Sequence, residues 1–125
     1  MTFKSFEDMP VWKKGLELVE QIYAITERLP TKEDYGLTSQ MRRSALSVPG
    51  NIAEGFGRKH TKDKLRFYYN SRGSLAETKS HLMCGHRVGY FANEQCAQAT
   101  GQIEEIWKEL NALIRALENH AQPQP

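Results

Sequence analysis

The sequence predicts an all-α protein built from four helices, and three observations carry that reading. Apolar residues recur at three- and four-residue steps over long stretches, and no segment alternates as a strand would. The chain is also of ordinary globular make-up, with 125 residues, 39% of them apolar and 26% charged, enough for one core without disulfides or metals. Residues 1–120 read as a single domain, with a frayed tail at 121–125.

The first helix is expected from about Pro10 to Leu29, where Trp12, Leu16, Val19, Ile22 or Tyr23, Thr26 and Leu29 form one seam. Asp8 is placed to cap it, Pro10 is tolerated in its first turn, and Pro30 stops it. The second helix, about Leu37 to Phe56, sets a core face of Leu37, Met41, Ala45, Val48, Ile52 and Phe56. Roughly opposite runs a polar stripe of Gln40, Arg43, Ser47, Asn51, Glu54 and Arg58. Ser47, Pro49, Gly50, Asn51 and Gly55 are poor helix-interior residues, so tertiary contacts must offset their cost. Two readings compete for the stripe. In one, Arg43, Ser47, Asn51 and Glu54, with Glu77 nearby, form a polar network that fixes register or subunit contacts. In the other, these side chains face a ligand.

The third helix is expected to start after Thr61 as its cap and to run to about Tyr90. Its seam is Tyr68, Ser71, Leu75, Thr78, Leu82 and Gly85, a mixture of large and small residues that lets a neighbouring backbone come close. Arg72, Lys79 and His86 stand at heptad spacing beside that seam, with Lys62 and Arg66 nearer its start. The last helix, about Asn93 to Asn119, gives the clearest pattern. Cys96, Ala99, Ile103, Ile106, Leu110, Leu113 and Leu117 form a bundle seam, and Asn93 is placed as cap.

The overall charge of +2 conceals an asymmetry along the chain. Residues 1–39 carry a net −2 and residues 91–125 a net −3, whereas residues 40–90 carry ten basic side chains against three acidic ones. An electropositive face of this kind attracts phosphate polymers or an acidic protein surface. The densest stretch runs from Arg58 to Arg66 and holds Arg58, Lys59, Lys62, Lys64 and Arg66 against Asp63 alone. It leads into a helix N-terminus, whose free N–H groups also favour phosphate. Tyr68 and Tyr69 follow, either to stack on bases or to pack.

Chemistry of other kinds finds little footing. A metal nuclease needs convergent carboxylates, and the basic middle offers only Glu54, Asp63 and Glu77. His81 and His86 fall about 140° apart on a helix and cannot share a metal face. Gly55-Phe56-Gly57 reads as a helix stop, because no strand precedes it and no GK[ST] follows. Cys84 and Cys96 read as buried small hydrophobes in a reducing compartment. No catalytic residue, metal or cofactor is therefore expected. No run of 18 apolar residues occurs, and Met1 to Pro10 lacks the order of a signal peptide, so no membrane contact and a cytoplasmic location are expected.

Certain stretches are recognisable as sequence. "SQMRRSALSVPGNIAEGFGR" (Ser39 to Arg58), preceded by "FEDMPVWKKGLELVEQIYAIT" and followed by "FYYNSRGSLAETKSHL", resembles the four-helix-bundle family of 23S-rRNA intervening-sequence proteins. The likeness falls on Trp12, Tyr23, Arg42, Arg43, Ser47, Pro49, Asn51, Glu54, Gly55, Gly73, Ser74 and Glu77. Gly50 departs from it where Ala is usual. Related to that family is Avd, the basic accessory protein of diversity-generating retroelements, which works with a reverse transcriptase and nucleic acid. The resemblance implies an antiparallel up-and-down four-helix bundle, a homopentameric ring, and no established enzymatic activity.

Together these readings give a non-enzymatic oligomer that binds RNA or DNA through phosphate contacts from Arg58, Lys59, Lys62, Lys64, Arg66, Arg72 and Lys79. The rival is a scaffold that displays a surface to a protein partner. No sequence-specific nucleic-acid motif occurs.

Overall fold

The structure is a computed structural model that describes residues 2–121. Four helices account for most of it: α1 (Pro10–Thr26), α2 (Leu37–Gly57), α3 (Thr61–Arg87) and α4 (Asn93–Ala121). Single 3-10 turns at Phe6–Asp8 and Thr31–Glu33 precede α1 and α2, and no strand occurs among the described residues. Each helix packs on two others, α1 on α2 and α4, and α3 on α2 and α4. One core fills the space between them. Leu18 and Ile22 of α1, Met41, Val48 and Ile52 of α2, Leu75 and Leu82 of α3, and Ile106 and Leu110 of α4 are wholly buried. Removing each such side chain from water contributes about 1.5–3 kcal/mol.

The α1 face keeps most of the expected seam, with Val19, Ile22 and Thr26 buried and Trp12 and Leu29 packed against the core. It departs at one place: Val11, Gly15, Leu18 and Ile25 are buried as well, while Leu16 and Tyr23 are 43% and 38% exposed. The cause is Gly15. A Cβ there would stand 3.3 Å from Pro49 Cβ, so the bare glycine admits the α2 proline and turns the larger neighbours outward. Asp8 does not cap α1. Ser5 instead caps the first 3-10 turn, Met9 leads in as extended backbone, and Pro10 opens the helix. At the far end α1 stops at Thr26, whose hydroxyl donates to the Ile22 carbonyl at 2.6 Å and accepts from Arg42 Nε at 2.9 Å.

The buried face of α3 is the predicted seam with Leu65 added, but its ends move. His60 takes the N-cap position and Thr61 is already helical. Gly89, at φ 90°, forms the turn that ends α3 before Tyr90. Asn93 opens α4 without capping it; its carboxamide oxygen lies 2.7 Å from His86 Nε2. Cys84 is exposed and Cys96 half-buried, contrary to a buried reading of both, because Cys84 faces away from the α3 seam. Apart from Ala121, which closes α4, the expected tail lies outside the described residues.

The α2–α3 contact is polar and close. Ser74 donates to Ser47 and Thr78 to Ser44, each at 2.8 Å, and Ser71 donates to the Val48 carbonyl at 2.8 Å. Ser71 and Thr78 are wholly buried, so these bonds replace water that has been excluded. Further along, Gly55 lies under the buried Tyr68 ring. A Cβ at Gly55 would meet Tyr68 Cε1 at 2.6 Å, whereas one at Gly50 would meet nothing within 4 Å. Gly55→Ala should therefore lower stability by about 1–3 kcal/mol through overpacking. Gly50→Ala, at an exposed site in the same helix, should raise it by about 0.5–1 kcal/mol. Urea unfolding of the two variants reads both signs.

Glu33 ties three segments together. Its carboxylate accepts from the Leu37 amide at 3.0 Å, at the start of α2, and from the Tyr90 hydroxyl at 2.9 Å. The Leu37 amide first, and Tyr90 second, hold the Glu33 carboxyl below its ordinary value of 4.5. A depressed carboxylate adds stability that is full above its unfolded value and is lost as pH falls through its folded value. The stability advantage of the wild type over Glu33→Gln should thus be constant near neutrality and shrink in acid. Paired unfolding curves at neutral pH and below pH 4.5 test this, and an advantage that grows in acid would contradict it.

Candidate nucleic-acid interface

The connection from α2 to α3 is three residues long, and five of the seven predicted cations lie on it or in the first two turns of α3. α2 ends at Gly57, and Arg58 follows as extended backbone. The last carbonyls of a helix lack partners within it. Here Lys64, from the first turn of α3, folds back to serve them: its Nζ donates to Phe56 O at 2.8 Å and Gly55 O at 3.3 Å, and lies 5.6 Å from the Phe56 ring centroid. Burial lowers the Lys64 pKa. Lys64 is thus engaged inward and is not offered to a ligand.

Its neighbours turn the other way. Arg58 and Arg66 both lie over the Phe67 ring, 4.6 Å and 4.7 Å from its centroid. Arg58 also pairs with Glu54 at 3.2 Å, one turn back on α2. Lys59 and Lys62 are exposed, and no carboxylate of the described residues lies within 4.0 Å of either. Among the ten basic residues of the 40–90 segment, Arg42 and Arg58 alone make such a pair with the described carboxylates. The positive charge of this segment is therefore largely uncancelled.

Arg72 and Lys79 stand apart from this cluster. Arg72 donates to Asn111 Oδ1 of α4 at 2.8 Å and lies over Tyr69, whose hydroxyl donates to Glu118 at 2.5 Å. Lys79 lines a groove of about 420 Å³ with Ala76, Ile103, Glu104 and Trp107. The seven predicted contact residues thus divide into an outward group of Arg58, Lys59, Lys62 and Arg66, an inward Lys64, and a pair on the α3–α4 flank. Tyr68 is a packing residue: it is 2% exposed, and burial pushes its hydroxyl up to about 12. Tyr69 is committed to Glu118, which raises its pKa.

Of the predicted polar network, the structure brings Ser47 and Asn51 together, with Asn51 Nδ2 donating to the Ser47 hydroxyl and carbonyl, each at 2.8 Å. Arg43 is exposed, Glu54 pairs with Arg58, and Glu77 lies 3.4 Å from His81, so these three stand outside it. The partners that complete it are Ser44, Ser71, Ser74 and Thr78. A signal for them exists in the sequence: Ser44, Ser47 and Asn51 on one helix, and Ser71, Ser74 and Thr78 on the next, share the same three-then-four step. No group of three His, Cys, Asp or Glu among the described residues is arranged to hold a metal ion, and no described helix is long and apolar enough to cross a membrane.

The division of the lysines has a measurable consequence. Lys64→Ala removes charge-assisted bonds to two helix-end carbonyls and should cost about 1.5–3 kcal/mol of stability. Lys59→Ala and Lys62→Ala should stay within about 0.5 kcal/mol of the wild type. Chemical denaturation separates the classes.

Comparison with known proteins fits this architecture. A family model described as 23S rRNA-intervening sequence protein matches residues 7–112. A crystal structure from Bacteroides thetaiotaomicron VPI-5482, of a protein with unknown function from the S23 ribosomal protein family, superposes with a TM-score of 0.75. It is 24% identical and covers 83% of this chain and 97% of its own, a likeness of fold. No curated protein matches the chain. With the family match spanning all of α1, α2 and α3 and much of α4, the chain belongs to the 23S rRNA-intervening sequence protein family.

Proposed function

We propose that this protein is a non-enzymatic oligomer, each subunit an antiparallel up-and-down four-helix bundle, that binds RNA or DNA through phosphate contacts at the α2–α3 connection. The observation that carries the reading is the outward group Arg58, Lys59, Lys62 and Arg66 at one end of the molecule. Four cations close together offer a polyanion several phosphate contacts at once, and none of the contacts requires a particular base. Repetition around a ring would multiply them. The rRNA-related name of the family points the same way.

The antiparallel arrangement is supported by how contacts run. Along α2, Ser44, Ser47, Val48 and Gly55 meet Thr78, Ser74, Ser71 and Tyr68 in turn, so α3 numbers fall as α2 numbers rise. The short α2–α3 connection fits the same geometry. A second reading, a scaffold for a protein partner, is favoured by the exposed Trp107, Met83 and Val88 on another flank.

Binding of a generic single-stranded RNA, titrated against salt, tests the proposal. Four phosphate contacts give a slope of about −3 in log K against log salt per binding subunit. Lys59→Glu combined with Lys62→Glu should weaken binding and flatten that slope by about 1.4, with the fold unchanged. Affinity that ignores both salt and these substitutions overturns the proposal. Partners captured from cells that persist after nuclease digestion would then favour the scaffold.

A further inference from the structure

Trp107 is an aromatic side chain whose face the fold leaves open. Tyr23, Phe67 and Tyr69 each lie under an arginine: Arg42 covers the first, Arg58 and Arg66 the second, and Arg72 the third. No described cation lies over Trp107 and no described ring pairs with it, although it is 42% exposed. It stands on the α4 wall of the groove of about 420 Å³, with Ala76 and Lys79 on the α3 wall. Ala76 presents only a methyl group, so room is left beside the indole, and a cavity of this size suits one planar ligand. Lys79 is half-buried along the groove, and no described carboxylate lies within 4.0 Å of it. An open aromatic face beside an unpaired ammonium matches the two halves of a nucleotide, whose base stacks and whose phosphate takes the charge.

The groove also lies on a cationic track that begins at the α2–α3 connection. Lys62, Tyr69, Ala76 and Met83 follow one another at seven-residue steps, so they share one stripe of α3. A depression of about 240 Å³ precedes the groove and one of about 660 Å³ follows it, and Met83 lines the second. Across the three, the charged lining is Arg72, Arg115, Lys79 and Arg87 against Glu118 and Glu104. Glu118 is committed to the Tyr69 hydroxyl. Of the charges nearby, Lys108 is exposed next to Trp107, and Glu77, on the outer face of α3, is turned toward His81. The flank is therefore net positive, with Glu104 the carboxylate at the groove itself. Lys79 lies about 25 Å along α3 from Lys62, at 1.5 Å per residue. A stacked strand rising about 3.4 Å per nucleotide covers that distance in about seven nucleotides.

From this we infer that the α3–α4 groove takes one base of a single-stranded nucleic acid, stacked on Trp107, while Lys79 holds the adjoining phosphate. The inference rests on phosphate binding at the α2–α3 connection and adds a second station and a strand preference. A duplex keeps its bases stacked on one another and offers Trp107 none. Stacking accepts any base, since each has a π-face, so the station selects single strands without reading their sequence. Met83, 54% exposed beside the groove, is flexible enough to fit purines and pyrimidines alike.

Trp107 fluorescence in the full chain tests it. An oligouridylate of about ten nucleotides, long enough to reach both stations, should quench it. Inorganic polyphosphate, a polyanion without bases, should bind and leave it unquenched, and so should an RNA duplex of the same length. Trp107→Phe should lose the quenching and keep most of the affinity, because a phenyl ring also stacks; Trp12, packed edge-on to Phe6, remains as the internal reference. Trp107→Ala should weaken the oligouridylate roughly 5- to 150-fold with its salt slope unchanged, and leave polyphosphate binding as it was. Lys79→Gln should instead flatten the slope by about 0.7. Salt-dependent binding that leaves wild-type Trp107 unquenched, or equal quenching by polyphosphate, overturns the inference while the cluster at the connection stands; the groove then falls to a protein partner. Loss of salt-dependent binding by both polyanions overturns the reading beneath it.

Discussion

Where α2 meets α3, the apolar core gives way to a column of hydroxyls and one bare glycine. Ser44, Ser47, Ser71, Ser74 and Thr78 are short enough to let two helices approach; Ser44, Ser71, Ser74 and Thr78 each spend a proton on the facing helix or on a carbonyl, and Ser47 accepts from Ser74 and Asn51. Direction distinguishes this contact from ordinary packing. Leucines tolerate a small slide, but paired hydroxyls at 2.8 Å do not, because a slide leaves buried oxygens unbonded at about 1–3 kcal/mol each. Pro49 and Gly55, costly within a helix, become intelligible in this setting. The first meets Gly15 of α1, and the second makes room for Tyr68 of α3, so α2 is fitted on both sides by residues that propensity alone disfavours.

That fixed register sets the functional end of the molecule. It brings the first turn of α3 against the last turn of α2, so that Lys64 reaches the open carbonyls of Gly55 and Phe56. With those carbonyls satisfied, the connection needs no other cation, and Lys59, Lys62 and Arg66 are left to solvent, with Arg58 and Arg66 stiffened over Phe67. One lysine is used to shape the end so that its neighbours can present charge.

Much of this was legible from residue spacing. The α3 face from Tyr68 to Gly85 and the α2 face from Met41 to Ile52 follow directly from three- and four-residue steps, because those helices bury one stripe each. On α1 the same steps gave Val19, Ile22 and Thr26 but misplaced Leu16, since a search for large apolar side chains passes over Gly15, where that helix meets Pro49. The site divides in the same way. Composition marks 58–66 as basic, but which lysine turns inward depends on where the carbonyls of another helix end, a tertiary fact with no local signature. Arg72 and Lys79 share heptad spacing with the ridge, yet both point to α4, whose placement spacing on α3 cannot reveal.

The claim beneath this account is that the Ser44–Thr78 hydroxyl pair and its neighbours lock α2 to α3 in one register. A double-mutant cycle of Ser44→Ala and Thr78→Val, measured by urea unfolding, tests it most directly. A coupling energy of about 0.5–3 kcal/mol between the two sites is the predicted result. Costs that simply add, within about 0.3–0.5 kcal/mol, would contradict it.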